Sequence, residues 1–163
     1  LQISGEKAHA FRRGMNGLPL DSNACFCYTV SMGQEYRHKT TSVSLVNYHF
    51  VWAPRYRRKI LTGVVDRRFR EILGEVAEEL ELAILALEVM PDHVHLFMNA
   101  PPDLSPADIV ARIKGRTSHH MRREFPQIAR MPSMWTRSYF VSTAGNVSSE
   151  TIEKYIAAQK KRG

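Results

Sequence analysis

Two histidines separated by one residue, His93 and His95, are the first candidates for chemistry in this 163-residue chain. They open an alternating segment. On a β-strand both imidazoles would leave one face about 6 to 7 Å apart, while Val94 points to the core. Two imidazole nitrogens on one face can bind one metal ion, but two satisfied or solvent-facing histidines explain this spacing equally well. Asp92 is either an acceptor that orients one ring or a plain turn residue after Pro91.

A second candidate group lies near the C-terminus, where Ile152, Tyr155, Ile156 and Gln159 share one stripe of a predicted helix. Tyr155 is either a core residue or a nucleophile, and Gln159 is either a boundary amide or an oxygen ligand. If the stripe faces the two histidines, the amide joins them around Mg²⁺ or Mn²⁺. A phenol with a pKa of about 10 attacks phosphorus poorly unless a metal polarises the phosphodiester.

Basic residues form two clusters, one after the first predicted strand and one along a helix. The candidate DNA-binding residues are Arg55, Arg57, Arg58, Lys59, Arg112, Lys114 and Arg116. At helical spacing Arg112 and Arg116 lie along one side and could follow a phosphate backbone, although charge on an outward helix face is usually only solvated. Tyr56, Phe125 and Trp135 lie near these clusters and could stack on bases, and packing explains each of them as well.

The elements that must position these residues follow the order strand, helix, strand, strand, helix, strand, helix. Alternation predicts the first strand over 45–52, and an apolar run over 82–90 predicts a strand that faces core on both sides or lies centrally. Asp66 and Ser105 are expected to cap the first two helices, which extend to about Leu80 and Arg123. The remaining strands are predicted over 93–99 and 138–143, and the last helix from Ser148 onward.

This order is the split βαβ, or ferredoxin-like, arrangement of the α+β class. It predicts an antiparallel four-stranded sheet with two helices on one face, and an added C-terminal helix that carries Tyr155. The other sheet face is expected to be free. RNA-recognition folds stack bases on such a face, but their aromatic and glycine-rich signature is absent from this sequence.

Composition favours one soluble domain with a nucleic-acid partner. Hydrophobic residues make up 44% and charged residues 24%, and Lys plus Arg total 23 against 16 acids, which gives a net charge of +7. A merely basic soluble protein is the alternative. No apolar run approaches the length of a membrane span, so no membrane association is expected. Without a signal peptide, and with Cys25 and Cys27 as the only cysteines, a reducing cytoplasm and no disulfide are predicted.

The chain divides at about residue 43. Residues 1–43 lack periodicity and contain scattered glycines, which predicts an N-terminal extension that is poorly ordered or belongs to a non-native start. Residues 44–163 form the predicted functional domain.

In family order, residues 47–159 resemble the single-tyrosine HUH transposases of small bacterial insertion sequences, which act on single-stranded DNA. The matching stretches are Asn47 to Trp52 with Tyr56-Arg57, Glu88 to Leu96, Ile113 to Gly115, Trp135, Ser138 to Phe140, and Gly145 to Ser148 with Ile152, Tyr155, Ile156 and Gln159. The Met-Pro-Asp-His-Val-His block with a distant Tyr-x-x-x-Gln is more specific than either piece alone.

The resemblance implies a homodimer in which His93, His95 and Gln159 hold Mg²⁺ or Mn²⁺ and Tyr155 forms a 5′-phosphotyrosine link. It predicts a transposase that cleaves and rejoins single-stranded DNA at the hairpin ends of a mobile element, in the bacterial cytoplasm and at the nucleoid when bound to DNA. One alternative is a domesticated relative that processes chromosomal palindromic repeats. The other is a non-catalytic nucleic-acid-binding module with the same fold.

Overall fold

The central sheet is antiparallel and has four strands. The structure is a computed structural model, and it describes residues 36–144. The predicted C-terminal helix, with Tyr155 and Gln159, lies outside the described residues, as do Cys25, Cys27 and most of the predicted N-terminal extension. The boundary at residue 43 therefore stays a prediction.

Ten short elements make up the described part of the chain. Strands are β1 (Arg37–Lys39), β2 (Ser42–Ser44), β3 (Val46–Trp52), β4 (Ala83–Met90), β5 (His93–Ala100) and β6 (Phe140–Ala144). Helices are α1 (Val64–Glu79), α2 (Pro106–Glu124) and the short α3 (Pro126–Ala129), and one tight turn covers Arg55–Arg57. None of these helices is long and apolar enough to cross a membrane.

The strand order β4-β5-β3-β6 confirms the predicted ferredoxin-like arrangement. Strands β4 and β5 form the expected hairpin, with Met90 opposite His93 across the turn. Within residues 36–144, β4 is nevertheless an edge strand, so the alternative that it lies centrally is wrong. Ala86, Leu87 and Glu88 are consecutive and all buried, which means that both faces of the strand are covered there, as its largely apolar sequence predicts.

Both long helices pack on one face of the sheet. Alternate residues of β5, namely Val94, Leu96 and Met98, are fully buried together with Phe69 of α1 and Ile109 of α2. This shared apolar cluster fixes which face each strand residue occupies, because a slip of one residue would turn the whole set to the other side. The histidines of β5 therefore lie on the face away from the helices.

The two predicted helix caps have different outcomes. Ser105 caps α2 as expected, and its Oγ accepts a hydrogen bond of 3.1 Å from the Asp108 amide. Asp66 does not cap α1, because the helix begins two residues earlier at Val64 and the cap residue is Gly63. Asp66 lies instead in the first turn, where its carboxylate accepts from Arg70 at 2.8 Å.

Strands β1 and β2 were not predicted. They form a small hairpin in the segment that was expected to carry no element. Arg37 of this hairpin ties it to the sheet, since its guanidinium donates to the side chain of Asn99 and to the carbonyl of Glu81. The hairpin is thus attached to the sheet through the side chain of Arg37, while most of residues 36–43 are exposed.

The sheet face opposite the helices is not bare, in contrast to the prediction. Asn47, His49, His95, Phe97 and Asn99 lie on this face, and each is less than a tenth exposed. The Asn99 amide donates to the Asn47 side chain at 3.0 Å. This face therefore carries a buried polar and aromatic row rather than an open platform.

Candidate active site

Strand β5 places the two histidines as the spacing predicts. His93 and His95 lie on the face away from the helices, with ring centroids 5.0 Å apart and ring planes at 76°. His95 is buried and His93 is about a quarter exposed. The strand alternation brings the two rings together, and the buried residues between and after them hold that alternation in place.

Asp92 orients the first ring. Its Oδ1 lies 2.7 Å from Nδ1 of His93, and its Oδ2 accepts two bonds from the Arg57 guanidinium, at 3.1 Å from Nε and 2.8 Å from Nη2. Of the two interpretations of Asp92, the orienting acceptor is the one that the contacts bear out. Because Nδ1 of His93 faces a carboxylate, the proton belongs there and the Nε2 lone pair is left for a ligand.

His49 is the site residue that sequence reasoning missed. It lies on β3 beside β5, and its Nε2 is 3.2 Å from Nδ1 of His95 in a nearly parallel arrangement of the rings. The ring of Phe97 stacks on it at 4.1 Å between centroids, and the ring of Phe140 meets it edge-on at 6.1 Å. With Nδ1 of His95 engaged in the contact with His49, Nε2 is the ring nitrogen that remains, as it is in His93, and a proton on Nδ1 would leave its lone pair for a ligand.

Burial keeps the imidazoles of His95 and His49 neutral. It lowers the pKa of His95 to about 4, with a further decrease from His93, and it lowers the pKa of His49 to about 4, with a further decrease from His95. Burial acts in the opposite direction on Asp92, but the hydrogen bonds from His93 and Arg57 outweigh it and leave the pKa of that carboxyl below its usual range. At neutral pH the rings of His95 and His49 are therefore neutral, and Asp92 is an anion behind the ring of His93.

This donor set fits a divalent metal as far as the described residues go. Neutral imidazoles with their Nδ1 atoms engaged are the usual form of metal-binding histidine. Within residues 36–144, no three His, Cys, Asp or Glu side chains come together as a metal site. The predicted third ligand, the Gln159 amide, lies outside that range, as does Tyr155.

The first basic cluster lies at the same end of the sheet as the histidines. Arg55 and Arg57 belong to the turn that follows β3, and Arg58 and Lys59 come directly after it and are exposed. Arg57 is bound to Asp92 but keeps a side chain that is 68% exposed. Contact of these four residues with DNA stays a prediction.

The structure separates the second basic cluster from the histidines. Helix α2 packs on the opposite face of the sheet, where Arg112 is exposed and Arg116 lies 3.2 Å from Glu79. The Lys114 ammonium lies 2.7 to 3.3 Å from the carbonyl oxygens of Thr136, Arg137 and Ser138, and burial lowers its pKa. Lys114 thus holds a backbone segment, and its contact with phosphate stays a prediction.

The three aromatic residues near the basic clusters differ in exposure. Trp135 is buried and its indole donates to Thr117 at 3.0 Å, and Phe125 packs against the core at the end of α2. Packing accounts for both. Tyr56 is different, because it is 69% exposed beside Arg55.

Comparison with known proteins identifies a family and relatives of this chain. Residues 42–159 match the profile of the protein family described as transposase IS200 like. The ISDra2 transposase TnpA of Deinococcus radiodurans is 33% identical over 117 residues, which are 70% of this chain and 84% of that protein. The transposase for insertion sequence element IS200 of Salmonella typhimurium is 32% identical over 115 residues, 69% of this chain and 75% of that protein.

Two solved structures resemble the fold. One, from Deinococcus radiodurans and assigned as a transposase, has a TM-score of 0.62 and 33% identity and covers 76% of this chain and 97% of its own. The other, a REP-associated tyrosine transposase bound to a REP hairpin, has a TM-score of 0.53 at 17% identity, with 75% and 67% covered, and supports the fold alone. The profile match and the identity to the curated relatives show that this chain belongs to the IS200-like transposase family, whose members cut and transfer DNA.

Proposed function

We propose that this chain cleaves and rejoins single-stranded DNA at the ends of an insertion sequence through a covalent tyrosine intermediate. The observation that carries the proposal is the paired orientation of His93 and His95, each with Nδ1 engaged and Nε2 left for a ligand. A packing or solvent-facing pair would not need a carboxylate behind one ring and an imidazole behind the other.

The roles of the residues follow from their chemistry. His93, His95 and Gln159 would hold Mg²⁺ or Mn²⁺, which when bound supplies a Lewis acid for the scissile phosphodiester. Tyr155 attacks phosphorus and gives up its phenolic proton to water, and the departing 3′-oxygen takes up a proton from water. The new bond joins its oxygen to the 5′-phosphate, and the bond to the 3′-oxygen breaks, leaving a 3′-hydroxyl that can later attack the link. Asp92 and Arg57 keep the ring of His93 in its orientation.

Hairpin DNA is the proposed substrate, and a homodimer is the proposed form of the enzyme. A structural neighbour is bound to a REP hairpin, and the net charge of +7 favours a polyanion. The curated relatives with about a third of identical residues are insertion-sequence transposases, whereas the REP-associated neighbour is 17% identical. This contrast favours an insertion-sequence end over a chromosomal repeat. A DNA substrate also favours action at the nucleoid, in the bacterial cytoplasm.

Formation of a covalent adduct tests the proposal. The full chain is incubated with single-stranded hairpin DNA and Mg²⁺, and denaturing gels are expected to show a protein species shifted by attached DNA. Tyr155→Phe should abolish that species while hairpin binding is retained, because it removes one oxygen and no phosphate contact. Tyr36→Phe is the matched control, since Tyr36 precedes β1, which binds the opposite end of the sheet. An adduct that persists in Tyr155→Phe contradicts the assignment.

A further inference from the structure

The turn after β3 has a backbone that its residues do not favour. Tyr56 and Arg57 have φ angles of 59° and 51°, in the left-handed region where glycine is the usual residue. Side chains with a Cβ atom are strained in this region, and such strain persists where surrounding contacts over-determine it. A bulky aromatic residue at such a position requires an explanation.

The turn's own hydrogen bond and contacts from two other parts of the chain fix its conformation. The Arg55 amide donates to the Met134 carbonyl at 2.8 Å, and the Arg57 amide donates to the Pro54 carbonyl at 2.9 Å. The Arg57 guanidinium is bound to Asp92. The turn is therefore held in one conformation before any ligand arrives.

The Tyr56 ring is held with it and faces outward. The Arg55 guanidinium carbon lies 4.9 Å from the ring centroid, and its Nη2 donates to the phenolic oxygen at 3.1 Å. Arg55 is anchored in turn by Ser133, whose Oγ accepts at 3.1 Å. The ring is thus backed by a fixed cation, yet the residue is 69% exposed, so burial of apolar surface does not account for it.

The position of the ring relates it to the candidate active site. Arg57, the chain neighbour of Tyr56, is hydrogen-bonded to Asp92, and Asp92 is hydrogen-bonded to His93. In the described part of the chain, four aromatic side chains are more than a third exposed: Tyr36, Tyr56, Tyr139 and Phe140. The last three lie where β3 ends and β6 begins, because Phe140 pairs with Val51. Exposed aromatic surface is concentrated at the histidine end of the sheet.

We propose that Tyr56 is a stacking platform for an unpaired base of the DNA strand, close to the phosphate that is cleaved. The inference rests on the proposed function and adds a contact that selects single-stranded DNA. Aromatic rings accept any base on their π-face, and a guanidinium behind the ring supplies positive charge for the strand. Because the turn already holds the ring in place, less conformational entropy is lost when DNA binds, and this gain accounts for the strained backbone of the turn.

Base removal from the DNA, combined with a change of Tyr56, tests this platform. The full chain is titrated without metal, at one fixed salt concentration, with a hairpin that has a single-stranded flank. The flank is intact or carries an abasic site at successive positions. One abasic position is expected to weaken wild-type binding by about 5- to 150-fold, the equivalent of about 1–3 kcal/mol for one stacked base. Tyr56→Leu should bind the hairpin with the intact flank more weakly than the wild type by the same factor. The abasic site should then cause no further loss of affinity in this variant.

Controls separate this contact from other roles. Tyr56→Trp should keep the affinity and the abasic effect, and Tyr36→Leu should match the wild type, because Tyr36 is a comparably exposed tyrosine at the other end of the sheet. Hairpins without a flank should bind all four proteins alike, and thermal melting confirms that the variants are folded.

Several results would overturn the platform. One is that the abasic site weakens binding by Tyr56→Leu as much as it weakens binding by the wild type. Another is that Tyr56→Leu loses the same affinity for flanked and unflanked hairpins. The last is a change in oligomeric state that accounts for the lost affinity. The last of these would make Tyr56 part of a protein interface. Failure of the proposed function is distinguishable, because it would appear as an absence of covalent adduct with the wild-type chain, whatever the binding results.

Discussion

The two imidazoles of the candidate site are backed by unlike groups. His93 faces the Asp92 carboxylate at 2.7 Å, while His95 faces the neutral ring of His49 at 3.2 Å. An anion behind an imidazole raises its basicity and fixes its tautomer, whereas a neutral partner mainly fixes orientation. The Asp92 contact is therefore the one whose loss should most affect metal binding.

Asp92→Asn is expected to weaken Mn²⁺ binding about 10-fold, within the range typical of groups behind a metal ligand. The substitution keeps the shape of the side chain and removes its charge, and it also weakens the bond to Arg57. Isothermal calorimetry of the full chain measures the effect, with His93→Ala, which removes a ligand outright, as the larger reference loss. Arg58→Ala, at an exposed residue next to Arg57, is the control and should leave the Mn²⁺ affinity unchanged. Unchanged Mn²⁺ affinity in Asp92→Asn would contradict the orienting role.

At this scale the sequence predicts the histidine pair and offers Asp92 as a support for His93, but it does not predict the contact between His95 and His49. The His-x-His spacing and the alternation of Val94, Leu96 and Met98 are enough to place both rings on one face. His49 could not be assigned, since only the register of β3 against β5 brings it to His95, and that register is set by packing across the sheet. The alternation of Asn47, His49 and Val51 on the outer face was the available signal.

Lys114 forms hydrogen bonds that hold a segment of backbone in place. Its ammonium has three hydrogens, and three carbonyls of the 136–138 segment lie within 3.3 Å of it. That segment leads into β6, and Thr136 also binds the Ala53 carbonyl beside the turn after β3. The lysine thus helps to attach the β6 end of the sheet to α2.

Lys114→Met should therefore destabilise the fold by about 1.5 kcal/mol, the low end for hydrogen bonds to a charged group. The salt dependence of binding to single-stranded DNA should stay the same. Arg112→Ala is the complementary variant, since Arg112 is exposed on the same helix, and it should leave the melting temperature unchanged. If Arg112 contacts phosphate, its loss lowers the log-log salt slope by about 0.7. A lowered slope in Lys114→Met, without loss of stability, would instead support the predicted contact of Lys114 with phosphate.

The start of α2 provides a second test at the scale of elements. Ser105 accepts from the Asp108 amide and donates to the Asp108 carboxylate at 2.6 Å. Ser105→Ala removes both bonds and should destabilise the fold by about 1 kcal/mol, or about 2–4 °C in melting temperature. Ser118→Ala, inside the same helix, is the control and should be neutral or slightly stabilising because alanine favours helix. Equal melting of the two variants would argue against the cap.

Elements with a strong local signal could be predicted from the sequence, and those without one could not. The Ser105-Pro106 start and the Pro91-Asp92 turn appear where expected, because cap and turn chemistry is local. Strands β1 and β2 are three residues long and mostly polar, so they have no alternation to detect. Their placement depends on Arg37 and Asn99, which are 62 residues apart.

For the whole molecule, the sharpest prediction concerns which subunit of the proposed dimer supplies the tyrosine. Gly145-Asn146 follows β6, and a glycine there lets the next segment leave in more than one direction. We expect Tyr155 of one chain to act beside His93 and His95 of the other. A Tyr155→Phe chain paired with a His95→Ala chain then contains one intact site and one with both defects, by two-fold symmetry.

Each variant alone should be inactive, and mixed dimers should recover up to about half the cleavage of wild-type dimers. Co-expression with two different tags isolates the mixed species, and denaturing gels measure the adduct. Mixed dimers that cleave no hairpin DNA would show that the tyrosine acts within its own subunit.

The strand order β4-β5-β3-β6 has a consequence for how the molecule opens. Strands β5 and β3, which carry His93, His95 and His49, are hydrogen-bonded on both sides, whereas β4 and β6 each have one neighbour among the strands of the described segment. Partial opening that frees an edge strand leaves the inner pair intact, so amide protons of β5 and β3 should exchange with deuterium last. Hydrogen exchange followed by mass spectrometry is expected to show this ranking. The imidazole cluster would then keep its spacing through motions that release either edge of the sheet.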